Sequence, residues 1–437
     1  MSSLQKGDTV KMKEGFAQVL DELGSGGQGS VYKVSYNGKE YALKWYHKDV
    51  FKGKEKEFYN NLADNIKKGA PTSNFLWPLG ITEPYNDVFG YIMNIRPKGY
   101  VELTEFFVGT KEKPQVKFKS FDAIANAAIN IIQAFRALHN SGFSYQDINN
   151  GNFFINPDNG DVLICDNDNV SPFGKNLGIL GKQRYMAPEI VTGKSDPDKQ
   201  SDRFSLAVIL FRLLFINHPL EGRYSTPPCM TKELERRYYG EDPVFVYDPN
   251  DARNRPIPGT DGNLKLFWQA YPDDIKRLFT LAFSKEYMTD RKNRVIERQW
   301  LDAFYKFKSS IVHCPYCGNE TFVTKPGDNA CIECGKKISI QNGIKFNSFT
   351  LPLYPGVRIM QWHVNSSQND ANTQIAEVVR NPKDKNLFGL KNTSNINWRI
   401  NLPDGGQRPL ASGAVVPIKT GFVIECTNDP REAGTII

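Results

Sequence analysis

The sequence predicts an α+β fold in which a small strand-rich region is followed by a larger helical region and then by two β-rich modules. Residues 16–46 read as consecutive short strands, with a hairpin turn at Asn37-Gly38, where both residues tolerate positive φ. Residues 121–139 repeat apolar side chains at three- and four-residue steps, which indicates an amphipathic helix. From residue 346 onward the pattern is strand-like again.

Composition and charge favour a soluble protein and exclude several classes of partner. The 437 residues are 40% hydrophobic and 24% charged, which is ordinary for a globular chain and unlike a disordered or fibrous one. The net charge of +7 includes no dense Lys/Arg block, so nucleic-acid binding is not indicated. The longest apolar run, residues 204–216, is too short to cross a bilayer, and no secretory signal is visible. We expect a cytoplasmic protein that binds neither membrane nor nucleic acid.

A change in composition at about residue 311 divides the chain into three predicted domains. Residues 10–310 contain the strand-rich and helical regions. Residues 311–341 form a short segment with paired cysteines, and residues 346–437 read as a small all-β module, typical of a sandwich.

Three glycines near the N-terminus form the pattern G-x-G-x-x-G: Gly24, Gly26 and Gly29. Glycines let the backbone approach phosphates closely and point N–H groups at them. A dinucleotide fingerprint would open a helix, whereas a strand follows here, so the pattern favours a phosphate-covering hairpin loop, with a flexible turn as the alternative. Lys44 shares a strand face with Ala42 beneath this loop and can hold phosphates there, the alternative being a surface lysine.

The stretch between residues 145 and 166 is the most informative for chemistry. Asp147 and Asn152 are five positions apart, and Asp166 ends a strand-like run. Phosphoryl transfer needs a carboxylate that receives the hydroxyl proton and two oxygen ligands that fix magnesium on the phosphates. Taken singly, each residue is equally compatible with a polar loop or a surface acid.

With the Ala187-Pro188-Glu189 segment and Asp202 downstream, these motifs, in this order and spacing, resemble the eukaryotic-like (Hanks-type) Ser/Thr protein kinases over about residues 16–310. The resemblance implies a bilobal kinase fold, with an N-lobe to about residue 95 and a C-lobe over residues 96–310. It also implies a bacterial signalling kinase that uses ATP with Mg²⁺ or Mn²⁺ and phosphorylates protein substrates.

The same resemblance implies a role for each matched residue. It assigns catalysis to five of them: Lys44, Glu57, Asp147, Asn152 and Asp166. It assigns nucleotide contacts to a second set: Gly24, Gly26, Gly29, Val31, Ala42, Lys44, Met93 and Ile95. Asp147 matches the catalytic aspartate, and Asn152 and Asp166 match the magnesium ligands. Glu57, with Glu55 as the rival, is the best match to the helix glutamate that pairs with the lysine.

Two further pairings are implied outside the nucleotide site. Glu189 would pair with a late arginine, for which Arg294 is the best candidate. Asp202 would hold the catalytic loop from beneath.

Four features of the sequence depart from the family pattern. Gln146 replaces the arginine before Asp147, and Ser171 is the only Ser or Thr between Asp166 and Glu189, so we expect no activation by loop phosphorylation. Asn167-Asp168 replaces Phe-Gly, which we expect to fix the segment in one state and to add a candidate metal carboxylate at Asp168. Asn149 replaces a lysine near the transferred phosphate. These departures leave two alternatives open: an ATP-binding pseudokinase scaffold that acts through its tail, and a kinase-fold phosphotransferase with a small-molecule acceptor.

Four of the seven cysteines form two C-x-x-C pairs, each followed by glycine: Cys314, Cys317, Cys331 and Cys334. Four thiolates at this spacing suit a tetrahedral zinc ion with no open position, and the segment resembles a zinc ribbon. A redox pair or two disulfides are the alternative. We expect the zinc to be structural, because so short a segment has too small a core to fold alone.

The C-terminal module distantly resembles the forkhead-associated β-sandwich, which binds phosphothreonine. Arg358 matches the binding arginine of that family, and Asn395 is a possible loop match. The preferred interpretation is a β-module that packs on the kinase or on a protein partner, such as a cognate phosphatase or another signalling protein.

Overall fold

The computed structural model describes residues 3–48, 50–85, 88–110, 113–366, 372–384, 386–427 and 429–437. The chain forms two compact units. The first comprises residues 1–117, 130–265 and 279–297, and the second comprises residues 118–129, 266–278 and 298–437.

The helices, in chain order, are α1 to α10: Glu55–Lys68, Phe121–Asn140, Pro188–Val191, Lys199–Phe215, Lys232–Arg236, Gly262–Ala270, Asp273–Ala282, Lys285–Thr289, Glu297–Ser310 and Gln361–Val364. The strands β1 to β11 are Thr9–Lys11, Phe16–Ser25, Gly29–Tyr36, Lys39–Tyr46, Gly80–Ile81, Gly90–Met93, Val101–Glu102, Phe143–Ser144, Phe153–Ile155, Val162–Ile164 and Ser171–Pro172. The strands β12 to β25 are Ile311–His313, Glu320–Phe322, Gly327–Ala330, Lys337–Ile340, Gly343–Lys345, Thr350–Pro352, Arg358–Met360, Gln374–Arg380, Phe388–Asn392, Trp398–Asn401, Gln407–Leu410, Val415–Pro417, Val423–Glu425 and Gly434–Ile436.

The first unit begins with an antiparallel six-stranded sheet in the order β1-β2-β3-β4-β6-β5. The predicted hairpin turn joins β3 to β4, and Asn37 and Gly38 both have positive φ, at 49° and 73°. The register pairs Val31 with Lys44 and Ala42 with Met93. The sheet therefore places four of the predicted nucleotide-binding residues, Val31, Ala42, Lys44 and Met93, on the neighbouring strands β3, β4 and β6.

The helical part of the first unit is built around α4, which is apolar on nearly all sides and buried. The helix begins at a capping box in which the Asp198 side chain accepts from the Ser201 amide at 3.1 Å. A cluster of aromatic rings surrounds its middle, with Phe211 lying 5.3 Å from Phe279 between ring centroids. The predicted order, strand-rich and then helical, is confirmed.

The second unit contains two short hairpins, β12-β13 and β14-β15, and two larger antiparallel sheets. One sheet has the order β17-β16-β25-β24-β21-β22 and the other β18-β19-β20-β23. The predicted β-rich C-terminal region is therefore present. Within this unit, Phe307 of α9 packs on Phe322 of β13, with ring centroids 5.1 Å apart.

Two sequence predictions concern boundaries and membranes. The boundaries between the two compact units fall within helices α2, α6, α7 and α9. They do not test the predicted domain limits at residues 310 and 341, which stay predictions. Among the helices that the structure describes, none combines the length and the apolarity that crossing a bilayer requires.

Candidate active site

A cleft of about 620 Å³ in the first unit brings together the polar residues predicted from the sequence. Asp147, Asn152 and Asp166 line it, and Gln28 of the glycine-rich loop lines it as well. Lys44 is buried beside the cleft, and its Nζ is 3.3 Å from Oδ1 of Asp166. Side chains from distant parts of the chain therefore converge on one site.

Asp147 lies in the loop after β8, where hydrogen bonds hold one of its two carboxylate oxygens. Its Oδ1 accepts from Asn149 Nδ2 at 3.1 Å and from the Lys182 amide at 3.0 Å. Burial raises the pKa of Asp147 to about 6: the Asn149 hydrogen bond opposes this rise and the Asp166 carboxylate adds to it. The group is still mostly ionised at neutral pH, so it can accept a proton.

The backbone of this loop rests on Asp202 of α4, as the sequence predicted. The Asp202 carboxylate accepts the amides of Tyr145 at 2.7 Å and Gln146 at 2.9 Å. Its Oδ2 is also 3.1 Å from Nε2 of His139, whose Nδ1 is 2.7 Å from Oε1 of Glu297. Burial lowers the pKa of His139, but hydrogen bonds to the two carboxylates outweigh it and raise the pKa above its ordinary value.

The segment at Asp166 turns sharply because that residue has a left-handed backbone, with φ 53° and ψ 44°. Its side chain is 39% exposed and faces the cleft. Asn152 donates through Nδ2 to the Asp147 carbonyl at 2.9 Å, which leaves its side-chain oxygen for a cation. Two oxygen donors facing one cleft are the ligand type that Mg²⁺ binds.

The two residues after Asp166 are both buried and polar. Asn167 donates through Nδ2 to the carbonyls of Leu76 and Ile164, each at 2.9 Å. Asp168 directs Oδ2 to Lys44 Nζ at 2.9 Å, and its side chain is only 4% exposed. Asp168 is thus paired with Lys44 and is not among the residues that line the cleft, and its role as an extra metal carboxylate stays a prediction.

The structure does not bring Glu57 to Lys44, and this corrects the predicted pairing. Among the described residues, Lys44 Nζ bonds to Gln28, Asp166 and Asp168. Glu57 is exposed on α1, and Glu55 accepts from the Gly53 amide instead. Burial lowers the pKa of Lys44, but the Asp168 and Asp166 charges outweigh it and raise the pKa above the ordinary lysine value.

The residues predicted to hold the nucleotide base form one apolar cluster. Ala42 and Met93 are buried members, and Val31 and Ile95 pack against them. In the glycine-rich loop, a Cβ at Gly29 would lie 2.3 Å from the Trp45 carbonyl oxygen, so this position requires glycine. A Cβ at Gly24 would meet no neighbouring atom, and one at Gly26 would meet only the Gly29 carbonyl oxygen at 3.9 Å.

Gln146 occupies the place of the family's arginine, and its side chain forms hydrogen bonds to the segment that follows β11. Its Nε2 donates to the Ser144 hydroxyl at 2.9 Å and to the Lys175 carbonyl at 2.7 Å, and its Oε1 accepts from Asn176 at 3.0 Å. Farther along the chain, Arg294 forms a bidentate ion pair with Glu189. Its two terminal guanidinium nitrogens donate to the two carboxylate oxygens at 2.8 and 2.5 Å, which confirms the predicted pairing.

The four paired cysteines lie in the turns of the two small hairpins of the second unit. Their sulfur atoms all lie within 4.8 Å of one another. The Cys314 and Cys334 sulfurs are 3.8 Å apart, and those of Cys317 and Cys331 are 3.7 Å apart. In each turn the glycine after the second cysteine has positive φ, 78° at Gly318 and 67° at Gly335. His313 lies beside the cluster and bonds to the Gly318 carbonyl instead.

Sequence reasoning missed several residues that organise the cleft. His139 and Glu297 were not connected to Asp202, because their pairing spans 158 positions and no local motif signals it. Asn61 and Asn65 lie on the buried face of α1, where their four-residue spacing was the available signal.

Comparison with known proteins identifies the class to which this fold and cleft belong. The family model of the protein kinase domain matches residues 17–239. This match covers half of the chain, and the chain belongs to the protein kinase family.

The relatives of this chain include kinases from a slime mould and from a bacterium. A probable serine/threonine-protein kinase, kinX of Dictyostelium discoideum, is 27% identical over 45% of this chain and 18% of its own length. The probable serine/threonine-protein kinase PknB of Corynebacterium glutamicum is 26% identical over 46% of this chain and 31% of its own length. The chain thus spans less than a third of either relative.

A solved structure also resembles this chain. It is the kinase domain of Mycobacterium tuberculosis PknI, crystallised as a double mutant. The TM-score is 0.47 and the identity 17%, over 70% of this chain and 99% of that one.

Proposed function

We propose that this protein is an ATP-dependent kinase that transfers the γ-phosphate to Ser or Thr hydroxyls of a protein substrate in a bacterial signalling system. The observation that carries the proposal is the convergence of Lys44, Asp147, Asn152 and Asp166 on one cleft. Phosphoryl transfer is catalysed mainly by positioning and charge neutralisation, and these residues supply both.

Each polar group in the cleft has a definite task in this proposal. Asp147 orients the acceptor hydroxyl and takes its proton. Lys44 holds phosphate oxygens from beneath the glycine-rich loop. Asn152 and Asp166 would hold Mg²⁺ or Mn²⁺, which when bound neutralises charge on the phosphates. The apolar cluster of Val31, Ala42, Met93 and Ile95 would receive the adenine ring.

One observation favours a second candidate, an ATP-binding scaffold without turnover. Oδ1 of Asp147 already accepts two hydrogen bonds, from Asn149 and from the Lys182 amide. An acceptor hydroxyl must use the remaining oxygen or displace one of these donors. Such a protein would bind ATP and signal through a partner.

The test is Mg²⁺-dependent transfer of labelled γ-phosphate to the protein itself and to a generic basic protein. We expect label on Ser or Thr, located by mass spectrometry, that disappears in Asp147→Asn. Thermal stabilisation by ATP and Mg²⁺ is measured in parallel. Stabilisation without label from zinc-replete protein would overturn the kinase proposal in favour of the scaffold, and the absence of both would overturn the two together.

The cysteine cluster is assigned to a structural zinc ribbon, and its geometry fits the ion. Four sulfurs at about 2.3 Å from zinc in a tetrahedron lie about 3.8 Å from one another. The Cys314–Cys334 and Cys317–Cys331 sulfur separations, 3.8 and 3.7 Å, match this spacing. The donor set has no open position, so its task is to hold two hairpins together rather than to catalyse.

The C-terminal β-sheets are assigned to docking of a protein partner, with a cognate phosphatase among the candidates. Arg358, which matches the phosphothreonine-binding arginine of forkhead-associated domains, forms an ion pair with Asp122 inside the second unit. Because that guanidinium is already paired, we assign the module to partner docking rather than to phosphothreonine recognition.

A further inference from the structure

We propose that Asp168 is the positioning residue that aligns Lys44 for phosphoryl transfer, a task that the family pattern gives to a helix glutamate. The metal-binding segment, and not α1, would then set the position of the lysine. This inference rests on the proposed kinase function and deepens it.

The contacts of Lys44 single out Asp168 as its principal partner. Lys44 Nζ lies 2.9 Å from Asp168 Oδ2 and 3.3 Å from Asp166 Oδ1. The Asp168 side chain is 4% exposed, against 39% for Asp166, so its attraction for the lysine is less screened by water. The hydroxyl of Tyr46 donates to the same Oδ2 and fixes the orientation of the carboxylate.

Helix α1 offers no carboxylate on the face that is turned inward. The buried residues of this helix are Asn61, Leu62 and Asn65, all neutral. The two amides donate to the Val170 carbonyl, at 2.9 Å from Asn61 and 2.7 Å from Asn65. The helix is thus tied by uncharged hydrogen bonds to the chain just after Asp168, while the only carboxylate held against buried Lys44 at less than 3 Å, within the described residues, is that of Asp168.

The burial of Asp168 is energetically unfavourable, which argues for a function. Its Oδ1 is buried and has no hydrogen-bond partner among the described residues. A buried ion pair contributes little net stability compared with apolar side chains of the same size, because both charges lose their hydration. A half-satisfied carboxylate beside the proposed phosphate-binding lysine is therefore better explained by alignment of that lysine than by stability.

The pairing has a consequence for regulation. Where a helix glutamate holds the lysine, any outward movement of the helix breaks the pair. Here the carboxylate is two positions from Asp166, so the ion pair joins Lys44 directly to the segment that carries the proposed metal ligand. Helix α1 would then influence the Lys44–Asp168 pair only indirectly, through the hydrogen bonds of Asn61 and Asn65 to the Val170 carbonyl.

The test compares three variants of the full chain by steady-state phosphoryl transfer and by ATP binding. Asp168→Asn keeps the shape and removes the charge, whereas Asp168→Glu keeps the charge and changes the shape. Asp64→Asn is the matched control, since it makes the same chemical change at an exposed position of α1. We expect Asp168→Asn to lower kcat about 100-fold, as misplacement of a positioned group does, with the Kd for ATP changed much less.

The relative activities of Asp168→Glu and Asp168→Asn distinguish alignment of Lys44 from a purely structural role. If the charge aligns Lys44, Asp168→Glu retains more activity than Asp168→Asn. If the residue only fills space, the isosteric Asn variant retains more, and this order would overturn the inference. Wild-type turnover in Asp168→Asn, or its loss in Glu57→Gln instead, would overturn it as well. Absence of transfer by the wild-type protein would overturn the kinase function and this inference with it, so the two failures are distinguishable.

A milder variant covers the case in which Asp168→Asn does not fold. Tyr46→Phe removes only the hydroxyl that orients Oδ2 and keeps the ring packed between Phe51 and Phe89. We expect kcat to fall about tenfold, since a hydrogen bond to a charged group is lost. Unchanged kinetics in folded Tyr46→Phe would then overturn the inference.

Discussion

The kinase cleft and the cysteine cluster hold their functional atoms in opposite ways. In the cleft, Lys44 and Asp166 lie 122 positions apart in the sequence, and the polar side chains around them have protein partners. In the cluster, Cys314 and Cys334 are only 20 positions apart, and their sulfurs face one another.

The two regions differ in how far the chain can order a site without a bound ion. Buried hydrogen bonds fix the cleft backbone without any bound ion: the Asp202 carboxylate accepts from the Tyr145 amide, and the Asn167 side chain donates to the Leu76 carbonyl. Four thiolates, in contrast, repel one another and need a cation between them. The cleft should therefore keep its form without metal, whereas the two hairpins should lose theirs.

We expect the greatest change from disruption of the two cysteine hairpins, for which a zinc ion is proposed. Cys331→Ser, or treatment with a strong chelator, removes a binding free energy of about 10 kcal/mol or more that is coupled to folding. We expect zinc content to fall to background and amide protection in β14 and β15 to disappear, measured by metal analysis and hydrogen exchange. Cys229→Ser, at an exposed cysteine outside the cluster, is the control. Full protection in the metal-free protein would show that the hairpins fold without zinc.

Next in size is the effect of removing a cleft carboxylate. Asp166→Asn should reduce phosphoryl transfer at least about 10³-fold, because a proposed metal ligand is lost. We expect no large fall in Tm, since the backbone there is held by Asn167 and not by an ion. A rate within tenfold of wild type would contradict the assignment of Asp166. A collapse of Tm would contradict the comparison with the cluster.

A smaller effect is expected in the buried hydrogen-bond network beneath the loop that carries Asp147. His139→Gln leaves Asp202 and Glu297 without their shared cation and should reduce the free energy of unfolding by about 3 kcal/mol at pH 6. Arg203, which bonds to Glu297 at 3.0 Å, remains. Denaturant unfolding of the two proteins measures the difference.

The pH dependence of that difference has a definite sign. The folded-state pKa of His139 is raised, so its contribution is fully present below the unfolded pKa of about 6.5 and is lost as pH rises through the folded value. The difference in the free energy of unfolding between wild type and His139→Gln should therefore become smaller as pH rises above about 6.5. A gap that widens with pH would mean that the imidazole is neutral in the folded protein.

The smallest expected effect is at Gln146. Gln146→Leu removes the amide that holds the Lys175 carbonyl and the Asn176 side chain, and we expect transfer to fall several-fold. Wild-type activity should not change on phosphatase treatment, because the hydrogen bonds of the neutral Gln146 side chain do not depend on a phosphate group. A large loss of activity after dephosphorylation would show that the segment is switched by phosphate after all.

Much of the fold and the cleft could be predicted because short motifs carry them. The hairpin at Asn37-Gly38 follows from local φ preferences, and the Glu189–Arg294 pair follows from the family pattern. The partner of Lys44 could not be predicted in this way. The choice between Glu57 and Asp168 depends on how α1 is rotated about its axis, which tertiary packing sets and sequence spacing does not.

Asn167 gives the cleft an energetic property that an apolar side chain would not. Its amide satisfies two buried carbonyls, those of Leu76 and Ile164. If this residue swung outward, the Leu76 carbonyl would lose its partner, at about 1–3 kcal/mol. The Ile164 carbonyl would keep the hydrogen bond that it accepts from the Leu76 amide at 2.8 Å. This cost would disfavour the outward conformer by a factor of about 5 to 150, and a small molecule that requires it would lose affinity by the same factor.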